Sequence, residues 1–299
     1  MIEIFTVDSF TRDFFKGNPA AVCTSFREMP RSEKLDRVFQ QIAKEMNLSE
    51  TAFITVANQT PSASRYFLQW FTPTNEVDLC GHATLASAHI LFERFLSKSS
   101  IDEIVFETKV AGELKIRKCN EKGRLQMDFP MGNPNPISLD DEILAEIRLK
   151  LNLTQEILAI QLCRKTKKLL LHLSSVDDCI KPQQNLTEIN FDSSIKPFIR
   201  GIIVTGPEVS SDFSSRYFAP WNGILEDPVT GSAHTVLAVY WSHLLNKTRL
   251  VGHQKSERGG YIECELDAKN QRVFLRGSAV TVLHGELQIN RDELLESFE

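Results

Sequence analysis

Two octapeptides, Glu76-Val77-Asp78-Leu79-Cys80-Gly81-His82-Ala83 and Glu226-Asp227-Pro228-Val229-Thr230-Gly231-Ser232-Ala233, align without a gap at a constant offset of 150 positions. Glu, Gly and Ala coincide, and each stretch runs into an apolar segment. Upstream, Phe71-Thr72-Pro73 matches Phe218-Ala219-Pro220 after a three-residue shift. An offset of half the 299-residue chain points to two similar halves related by a pseudo-dyad. Short Gly/Ala/Thr segments before helices are common, but position, context and helix type agree here as well as residue identity.

The segments that follow the two octapeptides are unusual. Ala83 to Phe92 and Val236 to Leu245 are apolar nearly all round. A helix without a polar face has to be enclosed, so each is expected to run through the middle of its own half, wrapped by strands. Working outward, the first half reads as strands at 2–8 and 20–24 around a Gly17-Asn18-Pro19 turn, a helix at 32–46, strands near 51–57 and 64–72, and a helix from 82 to about 95. Strands near 102–107, 112–118 and 123–129 follow, and then Pro130, Pro134 and Pro136 interrupt the pattern at a candidate domain boundary. The second half reads as a helix near 139–150, strand-like pieces around 155–173 and 201–206, a long helix at 231–245, and strands near 260–266, 271–276 and 279–289. Many short strands with few helices favour an α+β class with largely antiparallel sheets over regular βαβ winding.

Composition excludes several function classes. The hydrophobic fraction is 42% and the charged fraction 24%, as in soluble globular proteins. The formal net charge is −5 and no basic block is present, so nucleic acid is not an expected partner. No apolar run approaches a membrane span, and the acid-bearing alternation of residues 1–8 reads as a strand and not as a signal peptide. Six scattered cysteines without a CxxC pair fit a reducing cytoplasm better than a disulfide framework or a zinc ribbon. GxGxxG, GxxxxGK[ST] and GxSxG are all missing, which removes the motif evidence for dinucleotide binding, P-loop nucleotide binding and an α/β-hydrolase.

A helix N-terminus carries unpaired N–H groups and about half a positive charge, and a glycine there lets a ligand approach the backbone. Two such ends facing one cleft would favour a small dianion, or a carboxylate becoming an enolate. Each dipole is worth only about 0.3 to 2 kcal/mol, so a separate acid/base is needed. Glu50, in Asn47-Leu48-Ser49-Glu50-Thr51-Ala52-Phe53, sits where a helix ends and a strand begins. On position alone it reads either as a catalytic group held between rigid elements or as a solvated loop glutamate. His82 is a neutral donor/acceptor in the first helical turn or a structural histidine; Cys80 is a thiol of lowered pKa or a small buried residue. Asp227 caps a helix entrance or pairs with a buried group. Asp78, Cys80 and His82 alternate as metal ligands do, but without HExxH or a second Cys/His cluster no metal is expected.

Taken in order, Asp8-Ser9-Phe10, Gly17-Asn18-Pro19-Ala20-Ala21-Val22, Glu45-Met46-Asn47-Leu48-Ser49-Glu50-Thr51, Phe71-Thr72-Pro73-Thr74-Asn75-Glu76, Cys80-Gly81-His82-Ala83-Thr84 and Glu226 to Ala233 resemble the PhzF-like phenazine-biosynthesis family of the diaminopimelate epimerase fold. The resemblance implies two pseudo-symmetric domains, each a curved, mostly antiparallel sheet or barrel around a central helix, with the active site between them. Residues 1–130, rejoined by about 285–299, would form one domain and 131–284 the other. It also implies a cofactor-independent isomerase of a small carboxylate-bearing metabolite, commonly a cytoplasmic homodimer. By motif match Glu50 takes the place of the catalytic glutamate. His82, Asp227 and Ser232 take those of groups that contact substrate, alongside Cys80, Gly81, Thr230 and Gly231 at the two helix ends.

One departure sharpens the chemistry. Amino-acid epimerases of this fold use two cysteines on opposite sides of the substrate, and here Cys80 holds the first position but Thr230 the second. A threonine hydroxyl is far too weak an acid to replace a thiolate. The expectation is therefore a proton shift by Glu50, with a Cys80-based racemase or a catalytically silent binding protein of the same fold as alternatives.

Overall fold

The computed structural model describes residues 1–57, 64–121, 123–177 and 180–296, so Cys179 lies outside the described residues. In chain order the first part comprises β1 (Ile2–Ser9), β2 (Asn18–Cys23), α1 (Glu33–Met46), β3 (Thr51–Val56), β4 (Arg65–Phe71), β5 (Glu76–Val77), α2 (Gly81–Ile90), β6 (Glu103–Glu107), β7 (Glu113–Lys118) and β8 (Arg124–Pro130). The remainder comprises β9 (Asn135–Pro136), α3 (Asp141–Leu151), β10 (Ile157–Cys163), β11 (Lys168–Leu173), β12 (Ile202–Gly206), β13 (Phe213–Ala219), β14 (Ile224–Asp227), α4 (Gly231–Leu245), β15 (Arg249–Gln254), β16 (Gly260–Asp267), β17 (Arg272–Leu287) and α5 (Arg291–Glu296). Two compact units result: Met1–Asp128 with Arg276–Glu299, and Phe129–Leu275. Against sequence boundaries at 130 and about 285, the second division falls inside β17. The segments expected near 271–276 and 279–289 are one strand of 16 residues, because Gly277 and Ser278 continue the ladder instead of breaking it.

In the first unit, β1 pairs antiparallel with β2, β2 parallel with β3, β3 antiparallel with β4, β4 parallel with β6, and β6 antiparallel with β7. β7 continues to β8, β8 to β17, and β17 back to β1, which closes an eight-stranded barrel. The parallel steps need crossovers, and the sequence supplies a helix at each: α1 between β2 and β3, α2 between β4 and β6. All six residues of β3 are buried, which explains its unbroken Thr51-Ala52-Phe53-Ile54-Thr55-Val56 run. α1 covers the barrel with Leu35, Val38, Phe39 and Ile42. Phe39 stacks on Phe53 at 4.1 Å between ring centroids, in a cluster that includes Phe26 and Phe71. Each such phenylalanine contributes about 1.5 to 3 kcal/mol by leaving water. Every residue of α2 is buried except His89, as its lack of a polar face requires.

The second unit repeats that ladder. β10 pairs antiparallel with β11, β11 parallel with β12, β12 antiparallel with β13, β13 parallel with β15, and β15 antiparallel with β16. Backbone bonds match as well: Ala21 N–H donates to Glu50 C=O (3.2 Å) in the first unit and Leu169 N–H to Gly201 C=O (3.0 Å) in the second. Thr51 pairs with Phe71, and Ile202 with Phe218. The internal repeat is thus a repeat of fold, and it makes Gly201 the structural counterpart of Glu50. α4 is buried from Ala233 to Ser242, but its last turn differs from the sequence expectation: His243, Leu244 and Leu245 are exposed. The fold is α+β, with mostly antiparallel strands and the four parallel steps named above.

Candidate functional site

The first unit builds its site from three segments. Gly17, at φ +66°, forms the turn into β2; a Cβ there would lie 2.2 Å from Ser9 O, so only glycine fits. That turn places the fully buried Asn18 at the start of β2. α1 starts at Ser32, whose hydroxyl accepts from Leu35 N–H, and ends at Asn47 in the left-handed conformation, whose N–H returns to Ala43 C=O. Three residues later Glu50 is fixed at the foot of β3 by the Ala21 bond. The third segment is the start of α2: Cys80 is its N-cap and makes no side-chain cap bond, leaving the first-turn N–H groups uncapped from that side chain.

These segments bring Glu50, Cys80, His82, Asn18 and Ser49 together. Glu50 is 9% exposed, which excludes the solvated loop reading. Its Oε2 lies 3.2 Å from His82 Nε2, yet makes no hydrogen bond of good geometry. His82 Nδ1 lies 3.1 Å from Asn18 Nδ2, and Cys80 Sγ 3.5 Å from the same nitrogen. Ser9 Oγ donates to His82 C=O at 2.8 Å, holding the first turn of α2 against β1. Burial pushes the Glu50 carboxyl above the usual carboxylate range, and hydrogen bonds from Ser49 and Cys80 offset part of that rise. Asp78, the acid that the sequence pattern grouped with Cys80 and His82, is exposed; Glu50 takes its place in the cluster.

The second unit presents a different helix end. Thr230 is the N-cap of α4, again without a side-chain cap bond, and its hydroxyl donates to Asp227 Oδ2. Asp227 therefore pairs with a buried group and does not cap the helix. Gln254, fully buried, accepts from Thr230 N–H (2.8 Å) and donates to Asp227 C=O (2.7 Å) and Thr230 Oγ1 (3.1 Å). His234 Nδ1 donates to Thr230 C=O (2.8 Å), and burial lowers this imidazole to about 4, so it stays neutral. Ser232 is half-buried beside Gly231. Opposite Asp227 in the β13–β14 pairing stands Tyr217, its hydroxyl pushed up by burial and by the Asp227 charge. Lys168 Nζ lies 5.3 Å from the Tyr217 ring centroid and bonds Thr166 C=O. Burial brings that ammonium down to about 8.

Of the expected residues, Glu50, Cys80, Gly81 and His82 thus meet at one helix end, and Asp227, Thr230, Gly231 and Ser232 at another. Asn18, Ser49, Gln254 and Lys168 were not singled out from sequence. Asn18 was legible as part of the Gly17-Asn18-Pro19 turn, but nothing in Leu250-Val251-Gly252-His253-Gln254 marks the glutamine. Among the described residues no helix is long and apolar enough to cross a membrane.

Comparison with known proteins gives a consistent result. Residues 7–285 match the family model described as phenazine biosynthesis-like protein. The chain is 42% identical over 302 residues to phenazine biosynthesis-like domain-containing protein 1 of Mus musculus, covering 96% of this chain and 99% of that one. It is 43% identical over 289 residues to an uncharacterized isomerase of Halalkalibacterium halodurans, covering 95% and 97%. A PhzF-family crystal structure from Enterococcus faecalis, at 35% identity, superposes with a TM-score of 0.80 over 96% of this chain and 99% of that one. With the paired ladders, the two helix ends and these matches over nearly the whole length, the chain belongs to the phenazine biosynthesis-like (PhzF) family.

Proposed function

We propose that this protein is an isomerase that moves a proton within a small carboxylate-bearing metabolite, with Glu50 as the single acid/base. The isomerase name of the Halalkalibacterium relative supports the class. The observation that carries the mechanism is the burial of Glu50 at the uncapped N-terminus of α2, 3.2 Å from His82. A carboxyl held above its ordinary range is a better proton acceptor and donor near neutral pH than a solvated one.

In this reading Glu50 removes a proton from a carbon next to a carbonyl or a vinylogous carboxylate. Negative charge then develops on the substrate oxygen, where His82 and the backbone N–H groups from Gly81 onward stabilise it. Protonated Glu50, its proton exchanged with solvent, then delivers a proton to a different carbon, and the double bond shifts. Thr230, Gly231 and Ser232 form a second helix end suited to a carboxylate, with Asp227 beside it. No step draws on a cofactor.

Cys80 offers a second candidate base, since its sulfur lies beside His82 and its hydrogen bond reaches Glu50. The two readings differ in where solvent hydrogen enters. Turnover in D₂O of a hit from a panel of small unsaturated and amino carboxylates, followed by NMR, is expected to place deuterium on a carbon other than the one deprotonated. Label confined to the original stereocentre would replace the proton shift with racemisation. The acid limb of kcat/KM is expected above the usual carboxylate range, matching the direction of the Glu50 shift.

A further inference from the structure

Gly17-Asn18-Pro19, a turn that the proton shift leaves unused, carries the fully buried Asn18 to the first position of β2. The backbone there has little freedom. Gly17 holds φ +66° with no room for a Cβ, and Pro19 restricts the residue before it to extended conformations. Asn18 pairs across the ladder with Ser9, and Ser9 Oγ donates to His82 C=O at 2.8 Å. One member of that pair thus holds the backbone of His82, and the other meets its ring: Asn18 Nδ2 lies 3.1 Å from His82 Nδ1.

An amide nitrogen has hydrogens to give and no lone pair to offer, so the Nδ1 that it faces is the acceptor and carries no proton. A neutral imidazole then has its proton on Nε2. The surroundings of Nε2 agree, with Glu50 Oε2 at 3.2 Å and Ser49 Oγ at 3.5 Å. The Ser49 hydroxyl proton is directed to Glu50 or to Pro19 C=O, so toward the ring its oxygen accepts. Turning the Asn18 amide over would call for a proton on Nδ1 and set a bare Nε2 lone pair against an ionised Glu50. Cys80 Sγ, 3.5 Å from Nδ1, is a weak donor and a weak acceptor and tolerates either state. The choice falls to Asn18 and the Glu50 carboxylate, and both favour the same tautomer.

We propose that Asn18 is a positioning residue that fixes His82 as the Nε2–H tautomer, a neutral hydrogen-bond donor with neither ring nitrogen open to take a substrate proton. The tautomer rests on this geometry, and its catalytic consequence rests on the proton-shift reading. In that reading Nε2–H, on the Glu50 side of the ring, donates to the substrate oxygen that gains charge. A bare Nε2 would oppose that charge and act as a second base. Asn18 thereby divides the work: Glu50 moves the proton and His82 stabilises the charge.

The test is NMR of the imidazole nitrogens in the full chain labelled with ¹⁵N-histidine, near neutral pH and without substrate. The His82 signals are those lost in His82→Gln. Wild type is expected to show a bare Nδ1 and a protonated Nε2; a proton on Nδ1, in a neutral ring or an imidazolium, overturns the proposal. Asn18→Asp replaces the facing donor with an acceptor of the same shape. Imidazole is the stronger base of that new pair, so the proton is expected on Nδ1. A bare Nδ1 that persists in folded Asn18→Asp removes Asn18 from the choice of tautomer, and the wild-type spectrum decides the tautomer even where the variant does not fold. In turnover of a hit from the carboxylate panel, Asn18→Asp is expected to lower kcat about 10- to 100-fold with a smaller change in KM, the range for one hydrogen bond to a charged group. An unchanged kcat beside a moved proton overturns the positioning role. Absence of turnover in wild type counts against the isomerase reading alone, so the two fail separately.

Discussion

The N-termini of α2 and α4 occupy equivalent places in the same ladder, yet they are built for different work. At the first, Glu50 projects a buried carboxylate beside Cys80 and His82. At the second, the position equivalent to Glu50 is Gly201, and a Cβ there would lie 2.2 Å from the Tyr217 hydroxyl. Tyr217 fills the room that a side chain at position 201 would need. Thr84 Oγ1 donates to Cys80 C=O at 2.6 Å and His234 Nδ1 to Thr230 C=O at 2.8 Å, so both ends keep a bond to the N-cap carbonyl. The shared bonds maintain the helix ends; under the proposed proton shift, the residues that differ decide which end handles protons. A repeat conserves the frame of a site more readily than its chemistry.

The largest effect that would break or sharpen this comparison concerns Lys168. Its amine falls from 10.5 to about 8 on folding. A lysine with a lowered folded pKa binds fewer protons in the native state between those two values, so stability rises with pH across that window. The full difference corresponds to an upper bound on the order of 3 kcal/mol. Urea unfolding of Lys168→Met at pH 7 to 10.5 should show this rise flattened relative to wild type, and an unchanged slope would remove the burial argument. Next, Gln254→Leu leaves the Thr230 N–H without its glutamine acceptor and should cost about 1 to 3 kcal/mol in denaturant unfolding. A loss below a few tenths would mean that the glutamine does not hold the α4 end. Gly201→Ala should cost about 1 to 2 kcal/mol through overpacking against Tyr217, and Gly201→Ala with Tyr217→Phe should recover part of it. Neutrality of the single change would show that the counterpart of Glu50 is free to carry a side chain.

How much of this was legible in the sequence follows from the same contrast. The enclosed helices were readable because α2 and α4 have no polar face, and the strand runs of the first half because they alternate or are wholly apolar. β13, β14 and β15 were not anticipated. Phe213-Ser214-Ser215-Arg216-Tyr217 looks like a polar loop, but its serines and arginine are buried: Ser214 bonds Gly206 C=O, and Arg216 pairs with Glu226 at 2.7 Å. Tertiary partners, invisible to local pattern, turn that segment into a strand. In the site, motif order singled out Glu50 where position alone left two readings open, since nothing in Ser49-Glu50-Thr51 announces that a parallel strand pair will bury it. Gln254 and Lys168 stayed hidden for the same reason: the glutamine bonds Thr230, 24 residues away along the chain, the lysine faces the Tyr217 ring, 49 residues away, and neither carries a spacing signal.

The central claim is that the acid/base resides at the α2 end alone, in Glu50. Its most direct test is turnover by Glu50→Gln, measured as solvent deuterium entering the product, beside circular dichroism and the thermal midpoint. The account predicts normal folding and a loss of about 10² to 10⁴-fold, the range that a positioned acid/base contributes. Turnover equal to wild type in a folded Glu50→Gln protein would contradict it.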